Sequence, residues 1–357
     1  MGNDEHTPVS DLTTVQPPST EYDVALLDLD GVVYTGQGAV PNAVTALAQA
    51  RAGGLRLAFV TNNASRTPSA VAAHLSALGV PATQADVVTS AQAAARLIAA
   101  RVPPGSRVLV AGSVGLRLAL RARGLRPVSV AADRPVAVVV GFSPAMNWAL
   151  LTEAALAVRA GALFVATNAD PTLPSPRGLQ PGNGSLLRVI ATATGIEPVV
   201  AGKPEPPLHR EAVARTGCRR PLVVGDRLDT DIEGATRGGA DSMLVLSGVS
   251  TPRELVLAAP SRRPSYVAED LRGLLEPQPV VGVVRGGAAA PGAELQAWGV
   301  RCGGWTARRM DAQGPVTLEG DGDRLDGLRA LCVVSWSGKQ VTAEMVDPAL
   351  DRLDGHS

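Results

Sequence analysis

Short apolar runs recur along most of this chain, and the most prominent of them end in polar clusters. Residues 24–27, 55–60, 107–111, 135–141, 163–167 and 222–224 read as buried strands, with 241–246 and 266–267 extending the series. Between them lie stretches whose apolar positions recur at helical spacing, at 41–52, 68–78, 91–101, 114–123, 148–160, 185–194 and 207–216. Strand, helix, strand at this spacing predicts right-handed βαβ units in parallel sheets. The fold class expected is therefore α/β. Residues 168–184, rich in Gly and Pro, read as a long irregular loop, and loops of that length usually serve a site.

The pattern changes after the Pro-rich residues 276–279. A strand at 280–284, a helix around 294–300 and a second helix at 323–336 are expected there, making a small α+β unit with no visible catalytic constellation. About 75 residues fold alone only marginally, so this unit is expected to pack on the preceding domain or on another subunit. The domains expected are a disordered tail at 1–20, a core made of 21–85 and 201–277, an inserted α/β unit at 86–200, and a C-terminal domain of unknown role at 278–357.

Parallel sheets bind ligands outside the C-terminal ends of their strands, and the polar clusters fall at that edge. Asp28 and Asp30 stand two apart at the end of the first apolar run, and Gly31 permits a turn. Such a pair suits a metal, a proton-transfer pair, or a nucleophile with its acid. Thr61 and Asn62 close the second run, where hydroxyl, amide and backbone N–H groups can hold phosphate oxygens. Asp226, Asp229 and Asp231 follow the run at 222–224.

Composition narrows the chemistry. The 357 residues carry formal net charge +0 and are 45% hydrophobic, so no electrostatic attraction to nucleic acid or a membrane surface is expected. No apolar run approaches the roughly 18 to 20 residues of a membrane span, and residues 1–21 are polar, so a cytoplasmic location is expected. Cys218, Cys302 and Cys332 form no metal-ligand pair and the four histidines are scattered, so any metal would be held by oxygen. Of the 33 basic residues only Lys203 and Lys339 are lysine. A lysine kept in so Arg-biased a chain points to a site that needs a compact point charge.

Taken in order, Asp28-Leu29-Asp30-Gly31-Val32, Thr61-Asn62-Asn63, Lys203, and Gly225-Asp226 followed by Asp231 resemble the four motifs of the haloacid dehalogenase superfamily. The insertion between the second and third motifs, with Ala166-Thr167-Asn168-Ala169-Asp170 and Pro181-Gly182-Asn183-Gly184, is similar to the cap of the NagD or para-nitrophenylphosphatase branch. The resemblance covers about residues 22–275 and implies a Rossmann-like core with an inserted cap. It implies a phosphatase in which Asp28 is the nucleophile, Asp30 the general acid and base, and Lys203 a catalytic cation. Thr61 and the backbone of Asn62 would bind phosphate. Asp28, Asp226 and the carbonyl of Asp30 would hold Mg²⁺, with Asp231 beside them or reaching it through water and Asp229 peripheral. Asn168, Asp170, Pro181, Gly182 and Asn183 would line the substrate from the cap.

The loop at 168–184 has no aromatic residue with which to stack a base or pyridine ring, which favours a small polyol or hydroxy-acid phosphate. The layout, with its C-terminal addition, is similar to actinobacterial glycerol 3-phosphate phosphatases. That implies glycerol 3-phosphate as substrate, in glycerophospholipid recycling. Alternatives are 2-phosphoglycolate, a nucleoside monophosphate or pyridoxal phosphate. A phospho-accepting receiver protein is disfavoured by chain length, since a receiver needs about one ordinary domain. The C-terminal segment lacks a Gly-rich pyrophosphate loop of the acyl-CoA type. The expected partner is a small phosphorylated metabolite, and a second copy of the chain, joined through the cap or C-terminal domain, is a further candidate.

Overall fold

The computed structural model describes residues 16–175, 177–285, 298–309, 314–337 and 341–355. At its centre is a six-stranded, all-parallel sheet in the order Tyr266–Ala268, Asp241–Val245, Pro221–Gly225, Val24–Leu27, Arg56–Thr61, Val87–Thr89. All four residues of Val24–Leu27 are buried. They alternate sides, Ala25 and Leu27 joining one apolar cluster and Val24 and Leu26 another. A strand covered on both faces must be continuously apolar, and that is why its first polar residues, at its end, stand out in the sequence.

The inserted unit is a second parallel sheet, ordered Val199–Val200, Leu163–Ala166, Ala137–Val140, Arg107–Ala111, Arg126–Val128. Its boundary with the core differs from the one expected at residue 86. Val87–Thr89 pairs with Arg56–Thr61 and belongs to the core sheet. Thr89 then starts the helix Ser90–Ala99 with a capping box, its hydroxyl accepting from the Gln92 N–H while the Gln92 side chain accepts from the Thr89 N–H.

Core and insertion share one apolar cluster, running from Leu26, Ala58 and Val60 through Ala94 and Ile98 to Val110, Leu116 and Val139. Glu211, on the core helix Pro206–Thr216, adds a buried carboxylate to this seam. It accepts from Arg96 (3.1 Å) and from Arg123 (2.8 Å), just beyond the inserted helix Val114–Ala122. The stretch read as an irregular loop contains an antiparallel hairpin, Thr172–Ser175 with Gly178–Pro181. Its Gly and Pro content hid the strand pattern.

The C-terminal domain is a four-stranded antiparallel sheet, Gly282–Arg285, Trp298–Cys302, Trp305–Arg309 and Val316–Gly320, with helices Arg324–Trp336 and Ala343–Leu353. The helix expected around 294–300 is corrected: residues 294–297 lie outside the described residues, and Trp298–Cys302 is a central strand paired on both sides. This domain does pack on the preceding one, as Val300, Trp305, Leu328 and Leu331 share a cluster with Leu228, Ile232, Leu255 and Val256. The junction is bonded as well, since Gln278 is buried and joins the Gly273 carbonyl to Arg329. Of the tail, residues 1–15 lie outside the described residues, and a short helix, Pro18–Glu21, precedes the first strand.

Candidate active site

Four core segments meet at the C-terminal edge of the six-stranded sheet. Asp28 directly follows Val24–Leu27, its N–H bonded to the carbonyl of Val224 (2.8 Å) in continuation of the pairing. Lys203 comes in from the return of the chain out of the inserted unit and is 4% exposed. Its Nζ donates to Asp28 Oδ1, to Asp231 Oδ1 (2.7 Å) and to the carbonyl of Val60 (3.2 Å). All three donors of the ammonium are thus used, two of them on carboxylates. Thr61 is buried at the end of its strand, its hydroxyl accepting from the Asn63 N–H (3.1 Å).

Asp226 follows Gly225 at the next strand end. Its Oδ2 accepts from the Val249 N–H (2.8 Å), while its buried Oδ1 has no hydrogen-bond partner among the described residues. Gly31 and Gly248 close around this carboxylate, and a Cβ on either would collide with it. Gly31 also holds φ at +83°, a conformation that glycine adopts without penalty. Ser247 fixes the turn by donating to the Gly31 carbonyl (2.7 Å). Asp231 lies in the single π-helical turn Leu228–Ile232, its Oδ2 receiving the Arg227 N–H (3.2 Å). Asp229 points away, in a two-point pair with the Arg227 guanidinium.

The electrostatics follow from crowding. Burial pushes Asp28 upward, with Lys203 pulling it back and Asp231 and Asp226 adding to the push. Asp226 is pushed up to about 6 by burial and the neighbouring Asp231. Asp30 stands at the rim, its carboxyl raised by desolvation against the pull of Arg66 and Lys203. Ligand atoms of Asp28, Asp226 and Asp231 all lie within 4.8 Å of one another. One lysine among three carboxylates leaves excess negative charge, and the unpartnered Asp226 Oδ1 needs a positive neighbour. A hard, all-oxygen donor set of this kind fits Mg²⁺. Because both Asp231 oxygens are already hydrogen-bonded, Asp28 and Asp226 are the freer ligands.

The inserted unit touches this edge through Asn168–Asp170. Asn168 Nδ2 donates to the Asn62 carbonyl (2.9 Å), and Asp170 Oδ2 accepts from Asn62 Nδ2 (3.2 Å). Asn183 is buried, its amide turned to the carbonyl of Asn168 (2.7 Å) and not to an open cleft. Pro181 ends the exposed hairpin strand and Gly182 follows it, its N–H bonding the Pro171 carbonyl (2.9 Å). Asn168 and Asp170 are thus the cap candidates held beside the core motifs. Ser90, which bonds the Asn62 carbonyl (2.6 Å), and Ser247 had no signal in the sequence beyond following apolar strands.

Comparison with known proteins agrees with this geometry. Residues 25–126 match the family model for haloacid dehalogenase-like hydrolases, and a second HAD-like hydrolase model matches residues 200–274. A curated D-glycerol 3-phosphate phosphatase of Mycobacterium tuberculosis is 50% identical over 320 residues, 89% of this chain and 87% of that protein. The chain belongs to the haloacid dehalogenase-like hydrolases. Within these hydrolases, a crystal structure of the glycerol phosphate phosphatase from the same organism in complex with magnesium superposes with a TM-score of 0.82 at 46% identity, covering 95% of this chain and 99% of that one. The 5'-nucleotidase YutF of Bacillus subtilis is 40% identical, but over 65% of this chain and 90% of its own length. Part of this chain therefore has no counterpart in that shorter hydrolase. Residues 302–354 match a GCN5-related N-acetyltransferase-like domain, a likeness that the missing Gly-rich pyrophosphate loop argues against in the sequence.

Proposed function

We propose that this haloacid dehalogenase-like hydrolase is a Mg²⁺-dependent phosphomonoesterase that converts glycerol 3-phosphate to glycerol and phosphate. The observation that carries the reading is the pinning of Asp28 by Lys203 at a strand end, beside Asp226 and Asp231. An Asp28 oxygen attacks phosphorus, and the phosphorus–oxygen bond to glycerol breaks as Asp30 gives its proton to the leaving oxygen. Asp30, now a carboxylate, takes a proton from water. That water oxygen bonds phosphorus, the bond to Asp28 breaks, and phosphate leaves. Lys203 offsets charge on the nucleophile and the transferring group, and Thr61 with the Asn62 backbone orients the phosphoryl oxygens. Mg²⁺, when bound by Asp28, Asp226 and the Asp30 carbonyl, supplies charge neutralisation at the transferring group.

The choice of substrate is supported by the 50% identical phosphatase and by the small polar groups of the cap, Asp170 foremost. In this reading the six-stranded unit is the catalytic core and the five-stranded unit its cap. A cytoplasmic location belongs to the same reading of a small-metabolite phosphatase, and no helix among the described residues is long and apolar enough to cross a membrane. Assembly into a homo-oligomer through the cap is supported by Trp148 and Leu179, 77% and 73% exposed. The deciding experiment is phosphate release by the purified protein with Mg²⁺. Glycerol 3-phosphate should be turned over faster than 2-phosphoglycolate, UMP or pyridoxal phosphate, and EDTA should stop the reaction until Mg²⁺ is restored. Equal or better turnover of the other three removes the glycerol assignment, and turnover persisting in EDTA removes the metal.

A further inference from the structure

The side chain of Asn62 grips the peptide groups of Lys203 from both sides. Its Oδ1 accepts the Lys203 N–H (2.8 Å), and its Nδ2 donates to the Lys203 carbonyl (3.2 Å). The same Nδ2 reaches Asp170 Oδ2 (3.2 Å). The amide can adopt only this orientation, because a flipped one would set its oxygen against two acceptors and its NH₂ against a donor. Gly202, just before the lysine, has no room for a Cβ, as Asn62 Oδ1 and the Thr167 carbonyl fill that space. Asn62 is itself anchored, its carbonyl receiving Ser90 Oγ (2.6 Å) and Asn168 Nδ2 (2.9 Å).

We infer that Asn62 is a positioning residue for Lys203, its side-chain amide fixing the lysine's main chain so that Nζ stays between Asp28 and Asp231, with Asp170 of the cap steadying that amide. A lysine stem has four rotatable carbons, so the place of its charge depends on where its backbone is held. The second motif thus acts on the third through a side chain, in addition to the backbone contact proposed for phosphate. This inference rests on Lys203 being the charge-offsetting residue of the reaction.

The test is a double-mutant cycle on p-nitrophenyl phosphate at saturating Mg²⁺, which is independent of the glycerol assignment. Asn62→Ala should lower kcat by about 10- to 100-fold, the scale of an ångström-sized misplacement, with KM changed less than about 3-fold. Added to Lys203→Met, it should cost less than about 2-fold more, since the group it positions is already gone. An Asn62→Ala loss that persists in full beside Lys203→Met overturns the inference and leaves the phosphatase reading standing. Wild-type turnover by Lys203→Met alone overturns both the role of Lys203 and the inference. Should Lys203→Met fold poorly or leave too little turnover to compare, a crystal structure of Asn62→Ala decides. Lys203 Nζ displaced from Asp28 and Asp231 supports the inference, and Nζ unmoved overturns it.

Discussion

The six-stranded core and the C-terminal domain both set a sheet against helices, yet among the described residues the cluster of carboxylates lies in the core. In the core every strand is parallel, so Asp28, Thr61 and Asp226 leave the sheet at one edge. In the C-terminal domain neighbouring strands are antiparallel, and consecutive strand ends fall at opposite edges. Fewer strand ends therefore meet at any one edge. The start of its helix Arg324–Trp336 is also taken, because Asp323 caps it by accepting from the Leu325 N–H (2.8 Å) and Asp326 lies in its first turn. Those carboxylates would repel a pyrophosphate at that helix start, within the region of residues 302–354 that matches the acetyltransferase-like model.

If this division is right, the two regions should fail in different ways. Asp28→Asn, a change of one atom in the core, should lower phosphate release by at least about 10⁴-fold without altering the folded state, as expected for loss of a nucleophile. Residual turnover within about tenfold of wild type would mean that the strand edge is not the catalytic site.

Leu328→Ala, in the fully buried seam of the C-terminal domain, should do the reverse. It should cost about 2–5 kcal/mol of stability, read from denaturant unfolding, while kcat of the folded protein at 25 °C stays within about 2-fold of wild type. A variant that lost kcat while keeping its stability would show that the third domain takes part in the chemistry.

A further effect separates the regions by pH. His209 is buried in the core, and its imidazole is pushed down to about 4 by burial and the nearby Lys203 charge. The unfolded chain takes up its proton near the ordinary value of about 6.5. Stability from the neutral imidazole is therefore complete above pH 6.5 and is lost as pH falls toward 4, by roughly 1.4 kcal/mol per unit across that window. His209→Gln should flatten this part of the acid limb in urea midpoints compared with wild type. Parallel limbs for the two proteins would contradict it.

The core was legible in the sequence because burial on both faces forces apolar strands, against which Asp28, Thr61 and Asp226 are conspicuous. Lys203 was legible because this chain otherwise writes its positive charge almost entirely as arginine. Val87–Thr89 was too short to register as a strand, which misplaced the edge of the insertion. Trp298–Cys302 took its strand state from pairing on both sides, against a local spacing that resembled a helix. Nothing in Thr61-Asn62-Asn63 reveals that the Asn62 side chain turns toward Lys203, since that contact joins residues 141 positions apart.

The shared cluster at the third domain has a consequence for comparing sequences. Leu255 and Val256 are fully buried, and Trp336 Nε1 donates to the Leu255 carbonyl (3.2 Å) while the Arg263 guanidinium lies 5.4 Å from the centre of the Trp336 ring. A relative that stops after the second unit would present this patch to water. Its positions matching Leu255 and Val256 should therefore be polar, so that two adjacent residues in a short helix would tell a reader of genomes whether a third domain was ever attached.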